Sequence, residues 1–408
     1  MSQEKLTGIR EDFPLLKKGW IYLDNTAKAQ TPRKVLDAMH RYYTEIGANV
    51  HRGLHTLSLE ASKLYDEAHS KVEKFIGARK GEVAFTLNTT HAINIVASSI
   101  DWKRGDEVVT TVMEHHSNFL PWLRLRKFGV KVRVVDISDQ GFINVDQLRN
   151  SLTERTKLVS VAHVSNVLGV INPLEEIREI IDESDASPYF LVDAAQSVGH
   201  VEFSVRDFSP DFLAFSGYKG LMGPTGIGGL YYRRDVWEEI EPALLGGGTP
   251  RSVDSEGYEL MDPPASIEAG TPNIAGAIGL SAAVEYVSEI GIRRIEKKER
   301  ELTSEILDGF ERLKEGGVKV EYYGPGLDHL ESRIGVISFN LGGKDPHDVA
   351  RAMSSFKICL RSGHHCAMPL AMRLGITRGS VRASLHVYNT MEEIETFLTS
   401  LKEVYGLI

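Results

Sequence analysis

Seven apolar runs of strand length, alternating with stretches of helical periodicity, constrain the fold of this chain more than any other feature. The runs fall at 83–87, 107–112, 132–137, 157–163, 189–193, 211–215 and 227–232, and most are Val, Ile, Leu and aromatic residues with little polar alternation. Strands of that composition are covered on both faces. Helical patterns at 91–100, 118–128, 145–152 and 174–184 lie between them and supply the covers. The expected fold is therefore α/β, with a mostly parallel, doubly wound sheet. From about residue 273 the pattern changes. Ile295, Leu302, Ile306, Phe310 and Leu313 recur at steps of seven, four, four and three, one apolar stripe on a long helix otherwise rich in Glu, Lys and Arg. Strands at 335–340 and 357–361 and an amphipathic helix at 391–405 complete a smaller α+β unit. The expected division is a large domain over 15–275 and a small one built from 1–14 and 276–408. Without an internal repeat or a long linker, the two should pack closely.

With 408 residues, 42% of them hydrophobic, the chain is long enough for one large core and a smaller one. A formal net charge of −9 lacks the basic excess that nucleic acid or an anionic membrane surface demands, so small molecules and proteins are the expected partners. The opening MSQEKLTGIREDFPLL resembles neither a secretion signal nor a transit peptide, and no apolar stretch reaches bilayer length; the expected location is the cytoplasm. Only two cysteines occur, Cys359 and Cys366. A reducing compartment keeps such thiols free unless they are catalytic or redox-active. A disulfide between them is disfavoured by the polar residues they flank. A metal site from His364, His365 and Cys366 is disfavoured because adjacent side chains rarely converge on one ion. No metal is expected.

Arg361-Ser362-Gly363-His364-His365-Cys366 sets one thiol among histidine, arginine and glycine, where it could be held partly as thiolate. Alone, such a thiol reads equally as a small packing residue. A second constellation adds chemistry. The run at 189–193 ends in Asp193, and the next, at 211–215, leads into Ser216-Gly217-Tyr218-Lys219, so neighbouring strand ends offer an acid and an amine to one crevice. Pyridoxal phosphate (PLP) needs both: a lysine to hold its aldehyde as a Schiff base and a carboxylate to keep the pyridine nitrogen protonated. Asn88-Thr89-Thr90 precedes a helix, whose hydroxyls and N-terminus suit a dianion, although a plain N-cap reads the same way. Glu114-His115-His116-Ser117-Asn118 follows the strand at 107–112, and an imidazole there could stack on an aromatic ring and exchange protons, although a solvated histidine reads the same way.

The combination YLDNTAKAQTP, VHRGLHTLS, MEHHSN, HVSNVLG, VDAAQS, FSGYKGLMGPTGIG, EAGTPN, RSGHHCAMPL and VRASLHVYNT spans essentially the whole chain. It resembles the group II, Suf-type cysteine desulfurases and the similar selenocysteine lyases, which are fold-type I, class V aminotransferase-like PLP enzymes. The resemblance implies that Lys219 carries the coenzyme and shuttles protons, Asp193 pairs with the pyridinium, Gln196 bonds the phenolic oxygen and His115 stacks on the ring. Thr89, Thr90, Ser216 and Tyr218 would hold the phosphate, with Thr271 reaching across from the other subunit of a homodimer. Arg382 would clamp the substrate carboxylate, with Asn166, His51 and Arg361 assisting, and His365 would support the site. Cys366 would be the nucleophile that takes sulfur from L-cysteine, its pKa lowered by Arg361 or His365, leaving L-alanine and a persulfide on a mobile loop. A sulfur acceptor, or a scaffold protein of iron–sulfur assembly, is the implied partner.

Two positions depart from the pattern. Tyr218 stands where the family usually has histidine before the PLP lysine, and Lys28 replaces a small residue after Asp24. Two rival readings remain: a selenocysteine lyase, in which selenium leaves without help from the thiol, and a non-catalytic scaffold.

Overall fold

The structure, a computed structural model, describes residues 8–408, so residues 1–7 of the expected 1–14 segment lie outside it. Seven strands form the main sheet: β1 (Val83–Thr86), β2 (Glu107–Thr111), β3 (Lys131–Val135), β4 (Thr156–Ala162), β5 (Tyr189–Asp193), β6 (Phe212–Ser216) and β7 (Gly228–Tyr232). Their order is β1-β7-β6-β5-β4-β2-β3. Only β7 runs antiparallel to its neighbours; all other pairings are parallel. Strands β1, β2, β6 and β7 are buried throughout, in keeping with their largely apolar runs, while the edge strand β3 buries only Val135 fully. The order reverses at β2, which lies between β3 and β4. Open sheets of this type place ligands at the carboxyl ends beside such a reversal.

Five helices matter for the site: α1 (Thr56–Ile76), α2 (Thr89–Ser99), α3 (Ile274–Ile290), α4 (Ile292–Glu315) and α5 (Met391–Leu407). Helix α3 is apolar almost all round and packs against α1 in the core of the large sheet. At Gly291, φ 91°, the chain bends by 73° into α4, which carries the stripe read from the sequence; all five of its apolar residues are buried. No single helix among the described residues is long and apolar enough to cross a membrane.

The second sheet is antiparallel, in the order β8 (Val320–Tyr323), β9 (Val336–Leu341), β11 (Ser380–Ser384), β10 (Arg361–Gly363). Helices α4 and α5 pack on it around Phe310, Phe339 and Phe397. Strands β8 and β11 escape the sequence reading because their short, partly polar runs carry no apolar signature. The run expected as one strand at 357–361 is divided: Ile358–Cys359 pairs in parallel with Ile21–Tyr22, and β10 starts at Arg361. Leu23 belongs to this smaller core, whereas Ile9 and Phe13 pack into the large one. An exposed hairpin, Pro250–Val253 with Tyr258–Leu260, was also not expected.

Candidate active site

The carboxyl ends of β2, β4, β5 and β6, the N-terminus of α2, and strands β10 and β11 surround one cavity of about 460 Å³. Thr89, Thr90, His115, Asn166, Asp193, Gln196, Ser216, Tyr218, Lys219, Arg361, Cys366 and Arg382 all line it. His51 and Thr271 do not; both are exposed. Lys28 also lies outside: its ammonium bonds the Ala29 carbonyl at 3.1 Å and Thr31 Oγ1 at 3.3 Å. Sequence reasoning passed over Thr26, His116 and Ser117, which line the wall as well. The second histidine of MEHHSN was the available signal for His116.

Strand pairing places Ala214 opposite Asp193, so the acid and Lys219, five residues further on, converge on the cavity. Burial raises the Asp193 carboxyl and the nearby Lys219 pulls it back; one carboxylate oxygen accepts from Ala195 N at 2.9 Å. Burial lowers the Lys219 ammonium to about 8, with Asp193 and Cys366 opposing and Arg382 reinforcing the shift. His115 is pushed down to about 3, first by burial and then by Lys219, His116 and Arg382, so its ring is neutral near pH 7. Its Nδ1 accepts from Ser117 N at 3.1 Å.

The α2 N-terminus forms a polar cup. Thr89 N donates to Ser216 Oγ at 3.1 Å, the two hydroxyls lie 2.7 Å apart, and Thr90 Oγ1 meets Ser117 Oγ at 2.6 Å. Gly228 makes this approach feasible: a Cβ there would stand 2.4 Å from Phe215 O and 3.0 Å from Asn88 Cα. Free N–H groups at a helix N-terminus with hydroxyls beside them suit a phosphate.

On the opposite wall Arg361 and Arg382 are directly paired across β10 and β11. Two cations so placed repel. Asp24 relieves this, accepting from Arg361 at 3.0 and 2.8 Å and lying 3.7 Å from Arg382. Burial lowers the Arg382 guanidinium to about 10; its Nη1 donates to Asn166 O at 2.8 Å, and its Nε has no partner.

The turn bearing Cys366 is held at several points. Asn166 Nδ2 donates to His365 O at 2.8 Å, His116 N to Cys366 O at 2.6 Å, and Met368 N to His116 Nε2 at 3.2 Å. His365 and Cys366 have φ of 51° and 55°, two successive non-glycine residues in the left-handed region, a strained arrangement that needs such support. Cys366 is exposed and free. The expectation that His365 lends positive charge to it is corrected: burial and Arg382 lower this imidazole to about 2, so it is neutral and packs against Ser380. The cations close enough to Cys366 to interact with its sulfur electrostatically are Lys219, Arg361 and Arg382.

The wall fits a polar, anionic, ring-bearing group. The Gln196 amide oxygen, Thr26 Oγ1, Arg382 Nε and His365 Nδ1 are buried without partners. Orphaned groups of this kind are costly unless a ligand satisfies them. An acid, an amine, a neutral imidazole and a phosphate cup together match PLP. The sequence profile of the aminotransferase class-V family matches residues 21–397, and the chain belongs to that family of PLP enzymes. Within it, the chain is similar to cysteine desulfurases. A probable cysteine desulfurase of Pyrococcus abyssi is 48% identical over 399 residues, covering 97% of this chain and 96% of that one. The apo structure of the cysteine desulfurase from Thermococcus onnurineus NA1 superimposes with a TM-score of 0.93 at 46% identity and covers 98% of both chains. The cysteine desulfurase CsdA of Escherichia coli, solved in an S-sulfonic acid form, gives 0.90 at 31% identity over 99% of both.

Proposed function

We propose that this protein is a PLP-dependent cysteine desulfurase that moves the sulfur of L-cysteine onto Cys366 and releases L-alanine. The observation that carries the reading is the convergence of Lys219, Asp193 and Cys366 on one cavity. Lys219, Asp193, Gln196 and His115 would hold the coenzyme ring, and Thr89, Thr90, Ser216 and Tyr218 its phosphate. When bound, the coenzyme supplies an electron sink that weakens the substrate's carbon–sulfur bond.

The chain's own groups do the rest. Arg382, with an unused Nε, receives the substrate carboxylate, and Arg361 joins it if Asp24 yields. Asn166 assists indirectly, because its amide already holds the Cys366 turn. Lys219, whose ammonium gives up its proton near pH 8, takes the α-proton and returns protons to the product. Cys366 attacks as thiolate: a sulfur–sulfur bond forms, the carbon–sulfur bond breaks, and its electron pair stays with the carbon fragment, which leaves as alanine.

Thr271 and His51, exposed in one chain, act in the neighbouring subunit's cavity within a homodimer. The group II, Suf-type assignment, a cytoplasmic location, and delivery of sulfur to an acceptor or iron–sulfur scaffold protein belong to the same proposal; two free cysteines are in keeping with a reducing compartment. So does the two-domain division, 15–275 against 1–14 with 276–408; Ile9, Phe13 and α3 pack into the large core, which narrows the small unit to α4 through α5. The test is the absorption spectrum of the pure protein with and without L-cysteine, with alanine quantified. Cys366→Ala should keep the coenzyme's visible band and lose alanine formation; unchanged turnover would overturn the assignment. Activity of that variant confined to L-selenocysteine would mark a selenocysteine lyase, and a colourless wild-type protein a scaffold.

A further inference from the structure

Behind the cavity, three buried titratable side chains from three parts of the chain meet: His200, Glu299 of α4, and His386, their ligand-type atoms all within 4.8 Å of one another. His200 Nδ1 donates to both Glu299 oxygens, at 2.9 and 3.1 Å. Both nitrogens of His386 are engaged: Nδ1 accepts from Val387 N at 2.8 Å, and Nε2–H donates to the Gly220 carbonyl at 3.1 Å. Burial holds its imidazole well below the usual range, so this neutral tautomer persists. With no lone pair to spare on His386, the cluster serves as a hydrogen-bonded buttress rather than as a cradle for an ion.

What it supports is local. Gly220 directly follows Lys219, and Gly199 and His200 end the turn that begins at Asp193 and Gln196. The two turns are in backbone contact: a Cβ on Gly199 would stand 2.3 Å from Gly220 C, and one on Gly220 would stand 2.5 Å from Val198 O and 2.6 Å from His200 Cδ2. The His200 and His386 rings lie 4.8 Å apart, and His386 stacks on Tyr388 at 5.3 Å, whose hydroxyl accepts from Gln30 N at 2.9 Å. A fixed spacing between the Asp193 and Lys219 turns therefore depends on groups lodged on α4 and beyond β11.

We propose that His386 is a positioning residue for Lys219: its hydrogen bond to the Gly220 carbonyl, braced by the His200–Glu299 pair, sets the distance of the lysine from Asp193. This rests on the reading of Lys219 as the coenzyme-bearing residue. Asp193 favours the protonated form of the Lys219 nitrogen, so a slackened turn weakens that influence.

The experiment compares His386→Leu, His386→Gln and His386→Asn as holoenzymes. Glutamine can place a donor where Nε2 stood; asparagine falls short of the carbonyl, and leucine has none. The midpoint of the pH titration of the visible band should fall by about one unit in the leucine and asparagine variants, with kcat down about tenfold and KM for L-cysteine within about twofold. Glutamine should restore both. If the leucine variant does not fold, the glutamine and asparagine pair decides. A folded leucine variant with the wild-type midpoint and kcat, or an asparagine variant that matches glutamine, would overturn the proposal. Borohydride reduction and peptide mapping of the wild type separate the two readings: a label elsewhere than Lys219 defeats the lysine assignment, whereas a label on Lys219 with unmoved midpoints defeats only the role of His386.

Discussion

Individual side chains in this cavity are specified by what they lack as much as by what they contact. Arg382 is buried, one Nη is committed to the Asn166 carbonyl, and Nε has no partner. A planar guanidinium can still offer a carboxylate two donors from that edge; a lysine ammonium cannot reproduce the fork. Arg382→Lys should therefore keep the coenzyme's visible band and lower kcat/KM for L-cysteine about 100-fold, mainly through KM, in steady-state alanine assays. His163 shows the opposite economy. It is buried against Phe203 and Phe208, its Nδ1 has no partner, and burial lowers it to about 3. His115, also at about 3, and His365, at about 2, share that bias toward the neutral form. In each case the unfolded chain binds a proton near pH 6.5 that the folded one refuses, so the stability these residues contribute is present above that pH and is lost as pH falls toward the folded values. Each contributes a slope of about 1.4 kcal/mol per pH unit in that window. His163→Phe should remove one such slope, and denaturant titrations at pH 7 and pH 5 would show a smaller loss of stability than in the wild type.

At the level of elements, the proposed phosphate cup is as good as the first turn of α2. Asn88 accepts from His91 N at 3.0 Å and fixes where that turn begins. Asn88→Ala should cost about 1 kcal/mol in urea unfolding. It should also weaken coenzyme retention, read as faster loss of the visible band on dilution. The main-sheet strands were legible because burial on both faces leaves a largely apolar signature; the expected runs at 189–193 and 107–112 meet β5 and β2 within a residue. Strand β11 was not legible: Ser380-Val381-Arg382-Ala383-Ser384 is buried yet carries polar groups that serve the site and the backbone, which erases the pattern. The cavity followed the same logic. The convergence of Asp193 and Lys219 on it could be inferred from strand ends, because in a parallel sheet sequence position fixes which end a residue occupies. The bond between Asp24 and Arg361, 337 residues apart, has no local trace.

For the molecule as a whole, the consequential positions are those the single chain leaves in solvent. Thr271 is exposed, and so are Leu54, at 91%, and Arg251, Ser252 and Val253 of the hairpin. If Thr271 completes the neighbouring subunit's cavity, then mixing Thr271→Ala with Lys219→Ala subunits yields a dimer in which one site has both groups. That mixed dimer should regain about half of the wild-type activity per dimer. Inactive mixtures that exchange subunits by native mass spectrometry would place Thr271 in its own chain's chemistry, and a fully active Thr271→Ala homodimer would place it in none. The turn bearing Cys366 has its own reach to consider. Because the carbonyls of His365 and Cys366 are both held by the opposite wall, the proposed transfer draws on rotation about the Cys366 side-chain bond more than on swinging of the backbone. Under the proposed transfer, a cargo so tethered would be collected at the cavity mouth, where Cys366 is exposed, by a thiol that approaches it there.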